Sequence, residues 1–214
     1  AATLRQTTLE RRCRFDWRRI AEEAKTAEIN LPSRNHRIAT TPDEVWRFYQ
    51  ELDGERVSID GEWTDKVILC MGFSVDPSWS LTVPTVPHWW GSNAAASEAW
   101  RAITAICESD VEKVLHHGHS DAYVLRRWKG IRIENYKRDT LAEHHCLDAN
   151  DDHDLAYLAS IFTRQPYWKD EAKDPESIKK YTSNYEALLI YNGIDCCVTK
   201  ELDREVFWPM IEAR

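Results

Sequence analysis

Nothing in this 214-residue chain approaches the roughly 20 consecutive apolar residues that cross a bilayer, and its first residues lack the apolar core of a signal peptide. A soluble protein with no membrane partner is expected. The six cysteines, Cys13, Cys70, Cys107, Cys146, Cys196 and Cys197, form no C-x-x-C pair. They sit mostly in apolar segments, which predicts reduced, packed thiols rather than disulfides and suits a reducing, cytoplasmic setting. Basic charge is also short. A net charge of -8 argues against a broad electrostatic grip on duplex DNA, which needs a basic face. It leaves room for a nucleic-acid enzyme, because a site that gathers carboxylates for metal ions is itself acidic. Arg126, Arg127, Lys129, Lys137 and Arg138 remain available to hold phosphates.

What is present is enough apolar material, 43% of residues, for one domain with a substantial core, or one domain plus an appendage. The chain begins at Ala1 rather than Met and ends in a helical-looking run, as expected of a part excised from something longer. Residues 1–40 are polar and arginine-rich, with a helix predicted over Phe15–Ile29 and a Pro-Ser-Arg-Asn break, and read as an N-terminal appendage or linker. The domain is expected to run over 41–214. Thr41, Pro42 and Glu44 form the start of a helix with a capping box, which Gly54 ends. A hairpin follows, RVSIDGEW then KVILCMGFSV about a Thr64-Asp65 turn, and SWSLTVP makes a third strand.

Ser92 or Asn93 opens a helix with Trp100, Ile103, Ile106 and Cys107 on one face. Lys113–His117 reads as a short buried strand, Ser120–Trp128 as a helix and Arg132–Tyr136 as a fifth strand. Asp139 caps a helix over Thr140–Asp148, and another covers His153–Phe162. Residues 163–183 read as an ordered loop or flap before a long C-terminal helix. Three strands followed by helices alternating with short strands predict an α/β layered sheet.

Asp60 and Glu62 stand two apart in a strand, which aims both side chains at one face, and Tyr191 and Asp195 stand four apart in a helix, one turn above each other. With the isolated Asp121 they can compose one metal-binding acidic site. Spacing alone is weak, since Asp53/Glu55, Asp110/Glu112, Asp174/Glu176 and Asp203/Glu205 repeat it. Only Asp60/Glu62 lie inside a β-patterned hairpin. Singly, Asp121 reads as a helix cap, Asp60 or Glu62 as a solvated strand face and Tyr191 as a core-edge tyrosine.

Three motifs in order, SIDGEW, LHHGHSDAYVL and YNGIDCCVTKEL, are joined by DTLAEHHCLDAN and DLAYLASIFTRQPYWKDEAK. From about Val57 to Pro209 this text resembles the 3'-5' exonuclease (proofreading) domain of family A DNA polymerases, phage-type ones especially. These belong to the tyrosine subclass of the DEDD exonucleases. The resemblance implies a ribonuclease H-like three-layer fold, with a mixed five-stranded sheet, three antiparallel strands first, flanked by helices. It also implies Asp60, Glu62, Asp121 and Asp195 as ligands of two Mg2+ or Mn2+ ions: Asp60 bridging, Glu62 and Asp195 on the ion beside the attacking water, Asp121 on the second. Two divalent ions roughly 3.5–4 Å apart activate water and neutralise the leaving oxygen, and hard ions prefer such oxygen ligands. Tyr191 would orient the water, a phenol of pKa about 10 being too weakly acidic to serve as a strong base at neutral pH.

The substrate implied is a single-stranded DNA 3' end, and the partner a DNA polymerase domain, covalently linked or associated, in a bacterial or phage-infected cell. The chain departs from the family pattern where His117 replaces Asn, Ser120 an aromatic and Trp63 a small hydroxyl residue. These departures bear on substrate handling rather than on the acids. Trp63 is expected to stack on the terminal base and His117 to touch DNA. A zinc site from His116, His117, His119, His144 and His145 is a poor rival, since the closed ligand spacing is missing. Two other functions compete. One is a catalytically silent ribonuclease H-like domain that supports a polymerase or binds nucleic acid, which would have no reason to keep mutually repelling carboxylates together. The other is a stand-alone exonuclease acting on RNA or repair intermediates.

Overall fold

The computed structural model describes residues 7–52, 54, 56–64, 67–169 and 184–213. Asp65 of the expected turn, the Asp53/Glu55 and Asp174/Glu176 pairs, and residues 170–183 of the expected loop lie outside the described residues.

Helix α1 (Thr7–Glu23) starts before the expected Phe15 and stops before Ile29. It rests on the later helix α6 (Leu155–Phe162), where Phe15 meets Phe162 edge-on at 5.7 Å and Arg19 Nη1 donates to the Ser160 carbonyl at 2.8 Å. Among the described residues the sheet has six strands rather than five: β1 (Asn35–Ile38), β2 (Val57–Trp63), β3 (Ile68–Asp76), β4 (Trp79–Pro84), β5 (Lys113–Leu115) and β6 (Tyr136–Asp139), in the order β1-β4-β3-β2-β5-β6. The extra strand, NHRI, is four residues at the sheet edge, parallel to β4, with no apolar run to announce it.

The central hairpins β2–β3 and β3–β4 are antiparallel, as expected, while β5 and β6 add in parallel. The fifth strand expected at Arg132–Tyr136 begins instead at Tyr136. Asn135 has a left-handed φ of 53° that breaks extended backbone, and its side chain is bound to the Asp110 carbonyl at 2.6 Å. In α2 (Pro42–Gln50) the expected box shifts by one residue: Thr41 makes no side-chain cap, and Glu44 instead accepts from the Thr40 amide at 2.8 Å.

The pleat divides the sheet into two unlike faces. Val57 and Ile59 of β2, Met71 and Phe73 of β3, and Leu81 and Val83 of β4 face one way. There they join Val45 and Phe48 of α2, Ala99, Ile103 and Ile106 of α3 (Asn93–Glu108) and Leu125 of α4 (His119–Lys129) in the main core. Each of the large side chains, fully buried, contributes about 1.5–3 kcal/mol.

The other face is small and polar, with Ser58, Gly72, Ser74, Ser80 and Thr82, and against it lies α7 (Tyr185–Glu201). The two are tied by hydroxyls: Ser58 Oγ donates to the Cys196 carbonyl at 2.8 Å, and Thr82 Oγ1 to the Leu189 carbonyl at 2.9 Å. Gly193 makes the close approach possible, since a Cβ there would lie 2.6 Å from Ser80 Oγ. Beyond α7 a π-helical turn (Leu202–Phe207) leads into α8 (Trp208–Glu212), and Val198, Leu202 and Phe207 pack on Leu155, Leu158 and Ala159 of α6. Helix α5 (Thr140–Leu147) starts at Asp139, whose carboxylate caps Leu141 and Ala142. No helix among the described residues is long and apolar enough to cross a membrane.

Candidate active site

Alternation along β2 turns Asp60 and Glu62 to the α7 face, opposite Val57 and Ile59. On α7 the buried stripe Leu188, Leu189, Asn192, Asp195, Cys196 and Thr199 faces the sheet, so Asp195 descends onto the end of β2. Carboxylate oxygens of Asp60, Glu62 and Asp195 lie within 4.8 Å of one another. Asp121, in the first turn of α4, comes from the other side of β2 and accepts from the Gly61 amide at 3.0 Å. Gly61 allows that approach, because a Cβ would stand 3.2 Å from Asp121 Oδ1 and 3.1 Å from Met71 Sδ. Tyr191 hydrogen-bonds Asp195 from one helical turn away. All five residues singled out from the motifs therefore meet around one end of β2.

Two further side chains close on Asp195. Trp168 Nε1 donates to its Oδ1 at 2.7 Å, and Lys169 Nζ stands 3.3 Å from its Oδ2. Lys169 also lies 5.5 Å from the Tyr191 ring centre. A third, Asn192 of α7, donates from Nδ2 to Asp60 Oδ2 at 2.7 Å. None of Trp168, Lys169 and Asn192 is among the candidate site residues that the sequence motifs single out. Asn192 carried a signal, since it adjoins Tyr191 and precedes Asp195 by three on the same helix. Lys169 carried none, because its loop has no periodicity from which to read a direction.

The electrostatics are those of acids short of counter-charge. Burial, then the charge of Asp195, pushes the Glu62 carboxyl up to about 8, with Lys169 pulling the other way. Burial and the charges of Asp195, Glu62 and Asp121 hold Asp60 well above the usual carboxylate range. Burial raises Asp121 to about 7 despite the Gly61 amide, and raises Asp195 against the pull of Lys169, Trp168 and Tyr191. An oxygen-rich, charge-deficient cluster of this kind suits a hard divalent cation.

The two residues expected at the substrate do not enter the cluster. Trp63 follows a register shift between β2 and β3 and is half-buried against the main core. His117 is exposed, with a left-handed φ of 57°, and its amide donates to Asp139 Oδ1 at 3.0 Å. Of the other histidines weighed for zinc, His116, His144 and His145 engage a hydroxyl or another histidine, and His119 meets the Tyr136 ring edge-on at 6.3 Å. His116 Nδ1 meets Thr140 Oγ1 at 2.9 Å, and His153 lies between His144 at 2.7 Å and His145 at 3.1 Å. Of the basic residues available for phosphate, Arg138 is buried between Glu143 and Asp203, and Lys129 lies over Trp100 at 4.3 Å.

A protein family described as 3'-5' exonuclease matches residues 36–211. The chain belongs to this 3'-5' exonuclease family. Its fold is ribonuclease H-like, and 94 chains of solved structures match it. RNase D of Trypanosoma brucei, solved with GMP, superposes with a TM-score of 0.56 at 12% identity, over 80% of this chain and 57% of its own. Pol1 of M. smegmatis, solved with DNA primer-template and dNTP, gives 0.55 at 13% identity, over 84% of this chain and 28% of its own. The catalytic core of RRP6 from Trypanosoma brucei gives 0.50 at 16% identity, over 84% and 52%. This exonuclease chain thus spans about half the length of the RRP6 core that it matches. No curated protein sequence matches it.

Proposed function

We propose that this exonuclease domain removes nucleotides one at a time from DNA 3' ends as 5'-monophosphates, with two Mg2+ or Mn2+ ions, as the proofreading module of a DNA polymerase. The convergence of Asp60, Glu62 and Asp195 within 4.8 Å, with Asp121 pinned to the Gly61 amide, carries the reading. The donor set fits such ions: it is all carboxylate, and its raised pKa values mark charge that added cations would relieve. Asp60 would be shared between the two, Glu62 and Asp195 would hold one, and Asp121 the other. When bound, such ions supply Lewis acidity on both sides of the scissile phosphodiester.

The chain's own residues do the rest. Tyr191, now hydrogen-bonded to Asp195, presents its phenol to orient the attacking water. Trp168 donates to Asp195 and so fixes which edge of that carboxylate faces the site. His117, exposed at the turn before α4, and the edge of Trp63 are the proposed contacts to the terminal nucleotide. The DNA assignment follows the motif resemblance to polymerase exonuclease domains, and either nucleic acid has the phosphodiester that the cluster needs. Incubating 5'-labelled single-stranded DNA and RNA of one sequence with the protein in Mg2+ or Mn2+ tests it. Single-nucleotide shortening of DNA, with RNA shortened more slowly, is expected. Faster shortening of RNA would replace the proofreading role with RNA trimming, and intact substrates would end the exonuclease reading.

A further inference from the structure

Asp60 is the acid on which the proposed site turns, and the structure gives it a dedicated socket. Asn192 is fully buried, donates from Nδ2 to Asp60 Oδ2 at 2.7 Å, and has its other amide atom, Oδ1, without a hydrogen-bond partner among the described residues. Gly72 stands directly opposite Asp60 in the β2–β3 register. A Cβ on Gly72 would lie 2.2 Å from Asn192 Oδ1 and 2.6 Å from Cys196 Sγ. Its φ is not left-handed, so glycine serves here as space and not as a turn. The gap it opens is filled by the Asn192 amide.

As packing, this arrangement is poor. A buried polar atom without a partner costs about 1–3 kcal/mol, and an apolar side chain in the same gap would avoid that cost. We infer that Asn192 is a positioning residue for Asp60: lodged over Gly72, it locks the carboxylate so that its remaining lone pairs face the acid cluster. The inference rests on the metal-dependent reading proposed above. A neutral donor is the appropriate choice. It takes one lone pair of Oδ2 and restrains rotation of the carboxylate, yet adds no positive charge that would compete with an incoming cation. An acid shared by two ions needs such restraint most, because both its oxygens must stay in register with the other carboxylates.

Hydrogen bonds behind metal-ligating carboxylates are worth roughly 10- to 100-fold in metal affinity. The test is calorimetric titration of Mn2+ into the wild type and the Asn192→Leu, Asn192→Ala and Gly72→Ala variants, beside thermal unfolding of each in EDTA. The expected result is Mn2+ affinity weakened about 10- to 100-fold in each folded variant, with the metal-free melting temperature of Asn192→Leu unchanged or raised. In the Asn192→Ala background, adding Gly72→Ala should weaken Mn2+ binding less than it does in the wild type, since the contact with the Asn192 amide is already gone. A packing role alone would lower the melting temperature and leave Mn2+ affinity within about twofold. That outcome in any folded variant overturns the inference while the metal site stands. Absence of Mn2+ binding by the wild type overturns both.

Discussion

Replacing Lys169 with Met removes the cation that faces the acid cluster while keeping the length of the side chain. Its ammonium stands 3.3 Å from Asp195 Oδ2, with only 15% of the Lys169 side chain and 5% of the Asp195 side chain exposed. At an effective dielectric constant of about 20, a pair at that distance attracts by about 5 kcal/mol, and breaking a buried pair by removing one partner costs about 3–5 kcal/mol. The loss is limited from above because the released acids take up protons. Glu62 already titrates near 8 with Lys169 in place, and without it rises further. Lys169→Met should therefore lose about 2–3 kcal/mol of metal-free stability at pH 7.5, measured by urea unfolding in EDTA, and less at pH 5.5, where Glu62 and Asp121, titrating near 8 and 7, are protonated. In the proposed site a cation held by Asp195 would displace the same ammonium, so the energy lost from the metal-free state would return as affinity. Mn2+ should bind Lys169→Met more tightly, up to about 100-fold for 2.7 kcal/mol. Unchanged or weaker Mn2+ binding by the folded variant would refute the reasoning and place Lys169 beside the ions rather than in their way.

Metal-free protein should lose stability as pH rises from 6.5 to 8. Glu62 and Asp121 titrate near 8 and 7 in the folded state and near ordinary carboxylate values when unfolded, so the folded state holds more protons in this window. Each such proton contributes a slope of about -1.4 kcal/mol per pH unit. Urea midpoints in EDTA should fall across that range and level out in saturating Mn2+; a flat profile in EDTA contradicts the raised pKa values. Below 6.5 the slope is opposed by His116, which burial holds down near 4 and which takes up a proton only on unfolding. Trp63→Ala should cost about 2 kcal/mol through the core contacts of its half-buried ring, and weaken single-strand binding about tenfold through loss of the proposed stacking on the terminal base. Unaltered binding by the folded variant, read by fluorescence anisotropy, removes that role.

The meeting of Asp60 and Glu62 with Tyr191 and Asp195 was legible because both pairs are written in a short period. Strand alternation carries Asp60 and Glu62 to one face, and one helical turn carries Asp195 over Tyr191. The central antiparallel hairpins were legible from the same alternation. What escaped depended on chain segments whose direction no period records. Strand β1 is four mixed residues paired with β4 at the sheet edge, and the start of β6 is set by the left-handed turn at Asn135. Lys169 reaches Asp195 from a loop, and its sign and length alone do not tell a solvated lysine from a buried one. Asn192 lay in view inside the third motif, but its meaning depends on Gly72, distant in sequence and adjacent only in the folded sheet.

The most direct measurement is release of the 3'-terminal nucleotide from 3'-labelled single-stranded DNA by the wild type, Asp60→Ala and Asp195→Ala, each in saturating Mn2+ and in EDTA. A two-ion site at these acids predicts a labelled 5'-mononucleotide as the first wild-type product, none in EDTA, and rates at least about 10³-fold lower in both variants, equivalent to about 4 kcal/mol of transition-state stabilisation. Release that persists in EDTA, or an Asp60→Ala protein as active as the wild type, would contradict it.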